Sequence, residues 1–292
     1  MKKDFFKKPI KLIKNFQFLG QNYYGVGLSP YIIANSFKKI PQVSSYDFPF
    51  IPKDLNSYEK RMICMEQNFL TYECNKNSFE NAERLINLGG DHSIATGSIK
   101  ASLDKYGDEL HVIWIDAHAD ANTRDESLSG NVHGMPVNML LNICKNNVDW
   151  LKENPLNPHQ ITYIGLRDLD QYEHGLLHYL NIEHYSMRDM VTLPLNYVLS
   201  MLKNKYGRRK IHISIDVDAI DPVWMPSTGT PVDNGLSVDE VTGIINTFGE
   251  QIVNADIVEL NLELGDEYDK RRSFDATISI MNSLIRNYTL KN

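Results

Sequence analysis

Cysteine is scarce in this 292-residue chain: Cys64, Cys74 and Cys144 are the whole complement, and no two form a CxxC pair. An odd, scattered set gives no disulfide framework and no thiolate cluster for structural zinc, and a reducing compartment follows as the simpler reading. Long apolar runs are also missing, so nothing reaches the roughly 20 residues that cross a bilayer. The basic opening Met1-Lys2-Lys3-Asp4-Phe5-Phe6-Lys7-Lys8-Pro9 leads into no signal-type apolar core. Asp4, the prolines and the lack of early arginine argue against a mitochondrial presequence, so a cytoplasmic protein is expected. Positive charge is in deficit: 30 Lys and Arg against 37 Asp and Glu leave a formal net charge of -7, where a generic nucleic-acid binder would be basic. Gly25-Val26-Gly27 lacks the third glycine of a dinucleotide fingerprint. Repeats, low-complexity tracts and linkers are absent too, which predicts one domain over residues 1–292.

What is present is an ordinary globular composition, 42% hydrophobic and 23% charged, in a chain long enough for one large α/β domain. Strand-like apolar runs lie near 10–13 or 16–19, 85–88, 111–116, 160–165, 182–185, 211–216 and 256–260. Helical patterns lie near 30–38, 57–71, 77–84, 94–105, 135–145, 174–180, 193–205, 237–249 and 274–288. This alternation predicts a parallel sheet covered by helices on both faces, with ligands bound beyond the carboxyl ends of the strands.

Three polar stretches fall at such strand ends. Gly89-Gly90-Asp91-His92 follows Leu85–Leu88, Asp116-Ala117-His118-Ala119-Asp120 follows Val112–Ile115, and Asp216-Val217-Asp218, with Asp221 close by, follows Ile211–Ile215. Residues two apart on extended chain point the same way, so each stretch can converge its donors. A lone Asp-x-His is usually surface or capping chemistry; three such clusters at strand ends point instead to metal. The set His92, Asp116, His118, Asp120, Asp216 and Asp218 offers two imidazoles and four carboxylates, an oxygen-rich mixture that suits manganese better than zinc. Six ligands exceed one tetrahedral ion, so two ions sharing carboxylates are expected. Two divalent ions cancel four carboxylates, and a bridging hydroxide leaves a core of roughly minus one, suited to a cationic substrate. Asp91 and Asp221 are read as supporting or turn residues.

With Thr228-Gly229-Thr230-Pro231 following at the expected distance, these motifs resemble the arginase–agmatinase (ureohydrolase) family, from about Gly25 to the last helix. The resemblance implies a three-layer α/β/α fold with a mostly parallel central sheet and two Mn²⁺ per subunit. His92, Asp116, Asp120 and Asp216 would hold one ion, and Asp116, His118, Asp216 and Asp218 the other. The loop Asn122–Pro136 is similar to the arginase pattern rather than the agmatinase one. Asn122, Ser127, Ser129 and Asn131 offer neutral hydrogen-bond partners for an α-carboxylate, and Thr230 belongs with the substrate contacts. In Gly165–His174, Asp170 and Glu173 would receive an α-ammonium, although a helix start also explains acids there. The family counterpart of His133 relays protons, and that of Glu259 pairs with a guanidinium. Two positions depart from the family: Asn234 replaces a glycine but tolerates positive φ, and Leu262 replaces a proline in the loop after Glu259.

The implied activity is hydrolysis of L-arginine to L-ornithine and urea. A metal-bridging hydroxide would attack the guanidinium carbon, Asp120 and His133 would move protons, and Glu259 would orient the group. The alternatives are an agmatinase, a formiminoglutamase or another guanidine hydrolase, or a catalytically silent binding relative. A homo-oligomer, trimer or hexamer, is expected, with neither nucleic acid nor membrane as partner. His111 and His212 read as strand residues, His159, His174, His178 and His184 have no ligand-like company, and Lys270-Arg271-Arg272 reads as a solvated loop or helix approach.

Overall fold

The computed structural model describes residues 9–46, 54–143 and 147–289; Cys144 and the basic opening lie outside them. Eight strands form one sheet: β1 (Ile10–Lys14), β2 (Gln42–Ser44), β3 (Arg84–Leu88), β4 (Leu110–Ile115), β5 (Ile161–Leu166), β6 (Glu183–Ser186), β7 (Lys210–Asp216) and β8 (Ile252–Val258). Their order is β2-β1-β3-β8-β7-β4-β5-β6, and every pairing between them is parallel. The helices are α1 (Tyr24–Ala34), α2 (Ser57–Ser78), α3 (Ala95–Tyr106), α4 (Pro136–Leu140), α5 (Asp149–Lys152), α6 (Gln171–Tyr179), α7 (Leu195–Tyr206), α8 (Val238–Phe248) and α9 (Glu267–Thr289).

Strand alternation divides the apolar residues between two layers. On β4, Ile113 and Ile115 join a core with α1, α7, α8 and α9, while Leu110, Val112 and Trp114 join one with α2 to α6. The three-layer α/β/α arrangement is therefore built as expected, and the sheet is parallel throughout its named strands. Local signals set the helix starts: Asn56 with Glu59, Asp170 with Glu173, and Ser237 with Glu240 each form a capping box. Gly107 and Gly207 end α3 and α7 at φ +51° and +56°, a region that favours glycine.

Some expected boundaries move. No strand occupies 16–19 and no separate helix occupies 77–84, where α2 ends and the chain turns. The helix expected over 135–145 is the short α4, and β2 and α5 were not foreseen. The last strand, expected over 256–260, runs Ile252–Val258; Asn254 and Asp256 interrupt its apolar pattern in sequence yet are wholly buried. Helix α9 begins at Glu267, and the Lys270–Arg272 run lies inside it, paired Lys270–Glu267 (3.0 Å), Arg271–Asp275 (2.8 Å) and Arg272–Asp269 (2.7 Å).

Candidate metal centre

Five adjacent strands, β3, β8, β7, β4 and β5, deliver the polar stretches to one edge of the sheet. After β3 the backbone passes so close to Gln17 that a Cβ on Gly90 would collide with the Gln17 carbonyl, which accounts for the second glycine. The Gly90 carbonyl accepts the amide of Glu259 at 2.9 Å. Asp91 caps the 3-10 turn His92–Ile94 through Ser93 N (3.1 Å) and accepts Gly20 N (2.8 Å), the supporting role expected of it. After β4, the Ala117 carbonyl accepts the amides of Arg167 and Asp168 at 2.9 and 3.0 Å. Asp221 accepts Val223 N and Gly235 N at 2.9 and 3.1 Å, a turn residue as expected.

His92 is fully buried, and its Nδ1 lies 3.2, 3.1 and 3.1 Å from carboxylate oxygens of Asp116, Asp120 and Asp216. Its Nε2 lies 2.9 Å from Ser214 Oγ, which donates to Asp256 Oδ2 at 3.3 Å. With the single serine proton spent on Asp256, Nε2–H is the donor there and Nδ1 faces three carboxylate oxygens. Without metal it meets them by carrying a proton, because against burial the bonds to Asp116, Asp120 and Asp216 raise the ring's pKa well above its ordinary value; a metal cation in the proton's place satisfies all four groups. Nearby, His118 Nδ1 lies 3.4 Å from Asp116 Oδ1 and 3.2 Å from Asp218 Oδ2. In each group, His92-Asp116-Asp120-Asp216 and Asp116-His118-Asp218, the ligand atoms fall within 4.8 Å of one another. Asp116 belongs to both. Asp216, expected in both, joins only the first; its Oδ1 accepts the amide of Asp218 at 2.8 Å.

The titration behaviour has the same origin. Burial, then the charge of Asp116, pushes the Asp120 carboxyl up to about 6. Burial, then neighbouring carboxylates, lifts Asp216 and Asp218 above their ordinary range. Burial opposes the charged form of Asp116 as well, yet hydrogen bonds from His118 and His92 hold it low. Carboxylates crowded this way call for positive charge, and two imidazole nitrogens with four carboxylates and no thiolate fit divalent ions of the harder kind.

A cleft of about 230 Å³ opens over this centre, and Asn122, Ser127, Ser129, His133, Asp170, Glu173 and Thr230 line it. Asn131 does not: it lines an adjoining cavity and accepts Asn22 Nδ2 at 3.2 Å. Thr230 Oγ1 donates to Asp218 Oδ2 at 2.8 Å, so its hydroxyl proton is spent on a ligand carboxylate. Asn122 also differs from expectation. Its Nδ2 donates to Asp170 Oδ2 at 2.6 Å, leaving Oδ1 buried with no protein partner. The free atom is an acceptor, which suits an ammonium rather than a carboxylate. Glu259 lies beneath the cleft, 1% exposed. Its Oε1 accepts His92 N (2.8 Å) and His133 Nδ1 (3.1 Å), and Oε2 is buried without a partner. Asp120 and Glu259 both hold positive φ, +48° and +67°, strain of the kind that collects at functional sites.

Asp170 and Glu173 form the capping box of α6, so the helix-start explanation of these acids is realised geometrically while both line the cleft. Burial pushes Glu173 up to about 8. Its folded value lies above its unfolded one, so the cost that Glu173 adds is absent below about 4.5 and grows as pH rises to about 8. A Glu173→Gln variant removes that cost. Its melting temperature, measured with metal present, should gain several degrees on wild type between those limits; a gap that does not change with pH would contradict the assignment.

Residues not singled out from sequence also serve the site. Asp168 Oδ2 lies 3.7 Å from His118 Nε2, and Trp114 Nε1 donates to Asp116 Oδ2 at 2.8 Å. Asp256 accepts Ser98 Oγ (2.8 Å), Ser214 Oγ (3.3 Å) and Asn87 Nδ2 (2.9 Å), and lies 2.9 Å from His212 Nε2. For Ser214 the signal was the alternation His212-x-Ser214-x-Asp216 along a strand buried from Ile211 to Asp216.

The arginase family model matches residues 30–290. An arginase of Coccidioides posadasii (strain C735) is 41% identical over 206 residues, 65% of this chain and 64% of that protein. The arginase of Saccharomyces cerevisiae is 40% identical over 192 residues, 61% of this chain and 57% of that one. The matched stretch thus spans just under two thirds of the first relative's length. Among solved structures, the arginase of Entamoeba histolytica in complex with L-ornithine superposes with a TM-score of 0.84 at 26% identity, covering 96% of this chain and 99% of that one. The arginase of Bacillus caldovelox gives 0.83 at 28% identity, covering 95% and 98%. Sequence and topology agree, and the chain belongs to the arginase family.

Proposed function

We propose that this protein hydrolyses L-arginine to L-ornithine and urea on two manganese ions. It would work in the cytoplasm, as a single-domain subunit of a trimer or hexamer. The observation that carries the reading is one cleft with two metal-ligand groups at its floor and neutral and acidic hydrogen-bonding groups along its wall. His92, Asp116, Asp120 and Asp216 would hold one ion, and Asp116, His118 and Asp218 the other. When bound, the ions supply Lewis acidity that lowers the pKa of water from about 15.7 towards about 7; oxygen donors with some imidazole favour manganese.

The remaining roles belong to the chain. Glu259 Oε2 is the buried acceptor available to guanidinium N–H groups. Asp120 takes a proton from the attacking water and returns it to the leaving amine. Ser127 and Ser129 hydroxyls meet the α-carboxylate, and Asp170, Glu173 and Asn122 Oδ1 meet the α-ammonium. Burial works against a charged His133, but Glu259 holds its pKa at about 9, so the ring is protonated at neutral pH and can exchange protons between cleft and solvent.

A manganese-replete urea assay on L-arginine, agmatine and guanidinobutyrate, with formamide release from formiminoglutamate alongside, tests the reading. Arginine should dominate; preference for agmatine, or formamide as product, would sink it. His133→Asn should retain both ions and turn over about 10²-fold more slowly, and unchanged turnover would remove His133 from the proton path.

A further inference from the structure

Arg167 follows β5 directly and is half-buried. Burial lowers its pKa, and the charges of Asp218, Asp116, Asp221 and Asp216 oppose this. Yet among the described residues its side chain donates to no carboxylate. The guanidinium bonds instead to five backbone carbonyls: Nε to Asp233 (3.1 Å), Nη1 to Gly165 and Ala219 (both 3.2 Å), and Nη2 to Asp218 and Val232 (both 2.7 Å). These bonds use every N–H that a guanidinium carries.

The acceptors lie on separate stretches of chain. Gly165 belongs to β5, Asp218 and Ala219 to the 3-10 turn after β7, and Val232 and Asp233 to the loop after Thr230. The backbone amide of Arg167 adds another stretch, donating at 2.9 Å to the carbonyl of Ala117, between Asp116 and His118. The segments joined in this way carry one ligand group, Asp116-His118-Asp218, together with Thr230, whose hydroxyl holds Asp218 Oδ2 at 2.8 Å. His92 and Asp120 belong to the first group alone and are fixed elsewhere: His92 N donates to Glu259 (2.8 Å), and the Asp120 carbonyl accepts Val137 N (3.0 Å). Carbonyl oxygens that converge on one point repel each other, and a planar cation with its donors in a fixed fork satisfies them together. The fit leaves no slack: a Cβ on Gly235 would come within 2.6 Å of both Arg167 Nη2 and Asp221 N.

We propose that Arg167 is a positioning residue for the second metal ion: its side chain clasps the Asp218 and Thr230 loops to β5, where its amide holds the Ala117 loop, and so sets the spacing of His118 and Asp218. The proposal rests on the two-ion reading of the centre. Arg167 acts through the backbone that bears the ligands. Its charge and its bonds work in opposite directions. A fixed positive charge beside a cation site weakens metal binding, whereas ligands held at the right spacing strengthen it.

The test titrates Mn²⁺ calorimetrically into metal-free wild type, Arg167→Lys and Arg167→Met. Lysine keeps the charge and loses the fork; methionine loses both. Each variant should bind the first group's ion within about 2-fold of wild type and the second ion about 10- to 100-fold more weakly. An Asp120→Ala background, which lacks a ligand of the first group, identifies the site: the equivalent that remains there should weaken by the same factor. Tighter binding in Arg167→Met with no change in Arg167→Lys would reveal a charge effect alone and overturn the clasp. Equal weakening of both ions, or loss of native circular dichroism in both variants, would overturn it as well. Amide hydrogen exchange in metal-free protein separates the clasp from the two-ion reading. Leu236 N donates to the Ala219 carbonyl and Asp221 N to that of Leu236, both at 2.9 Å. These two amides should exchange at least about 10-fold faster in both variants, while the Glu259 amide, bonded to Gly90 at 2.9 Å, keeps its wild-type rate. Should wild type bind fewer than two Mn²⁺, the two-ion reading fails by itself and the exchange rates decide the clasp; unchanged rates at Leu236 and Asp221 overturn it.

Discussion

An Asp116→Asn variant should lose most of both ions and, with them, at least about 10³-fold in urea production, because several kcal/mol of transition-state stabilisation leave with the Lewis acids. Asp116 is the one ligand common to both groups. Its Oδ2 lies 3.2 Å from His92 Nδ1 and its Oδ1 lies 3.4 Å from His118 Nδ1. Asn keeps the volume and one acceptor oxygen for the His118 amide, which donates to Oδ1 at 2.7 Å, but its NH₂ then faces Trp114 Nε1–H, which donates to Oδ2 at 2.8 Å in wild type, so native circular dichroism of the variant is checked before its metals are counted. Asp120→Ala is the contrast. Asp120 belongs only to the first group, so that variant should lose one ion and turnover while keeping the other. Elemental analysis per chain separates the two outcomes; equal metal loss in both variants would mean that Asp116 is not shared. In metal-free protein the two ligands differ in sign. Against burial, His118 and His92 hold Asp116 low, so the chelated Asp116→Asn protein should melt below chelated wild type near pH 7; burial and then the charge of Asp116 push Asp120 up to about 6, so the chelated Asp120→Asn protein should melt above it.

The metal groups were legible because residue type, two-residue spacing and strand end coincide in each motif. Asn234 was legible too: it takes φ +61°, a conformation Asn tolerates where a family glycine stands. What escaped depended on contacts distant in sequence. The orientation of the Asn122 amide is fixed by Asp170, 48 positions away. Asp216 sits in one ligand group rather than two, a matter of side-chain placement that two-residue spacing does not encode. Strand β2 has only three half-buried residues, too few for periodicity to register. Asn254 and Asp256 hid the start of β8 because a buried polar residue reads as a strand end until its partners are known. Leu262 is the instructive departure. Its backbone amide donates to Ser29 Oγ at 3.1 Å, a bond the family's proline could not make. The substitution thus carries its own tether for the loop that follows Glu259.

Glu259→Gln should reduce kcat/KM for arginine about 10³-fold while both ions stay bound. The size of the loss follows from inversion rather than simple neutralisation. In wild type Oε1 already accepts His92 N at 2.8 Å and His133 Nδ1 at 3.1 Å, which leaves Oε2 as an anionic acceptor with no protein partner. A glutamine must turn its carbonyl oxygen towards the His92 amide, because a backbone N–H accepts nothing. The amide NH₂ then stands where Oε2 stood and points donors at the donors of a guanidinium. A charge-assisted pair is replaced by a donor–donor clash in a buried site, where an unmade hydrogen bond to a charged group is costly. The same substitution removes the carboxylate that holds His133 near 9. Burial remains and lowers the ring, so the pH at which His133 loses its proton should move down, towards or below the ordinary value near 6.5. The alkaline limb of the kcat profile should shift with it, since that limb marks loss of the protonated ring. A variant with a normal pH profile, or one whose KM alone changed, would place Glu259 outside the reacting cleft.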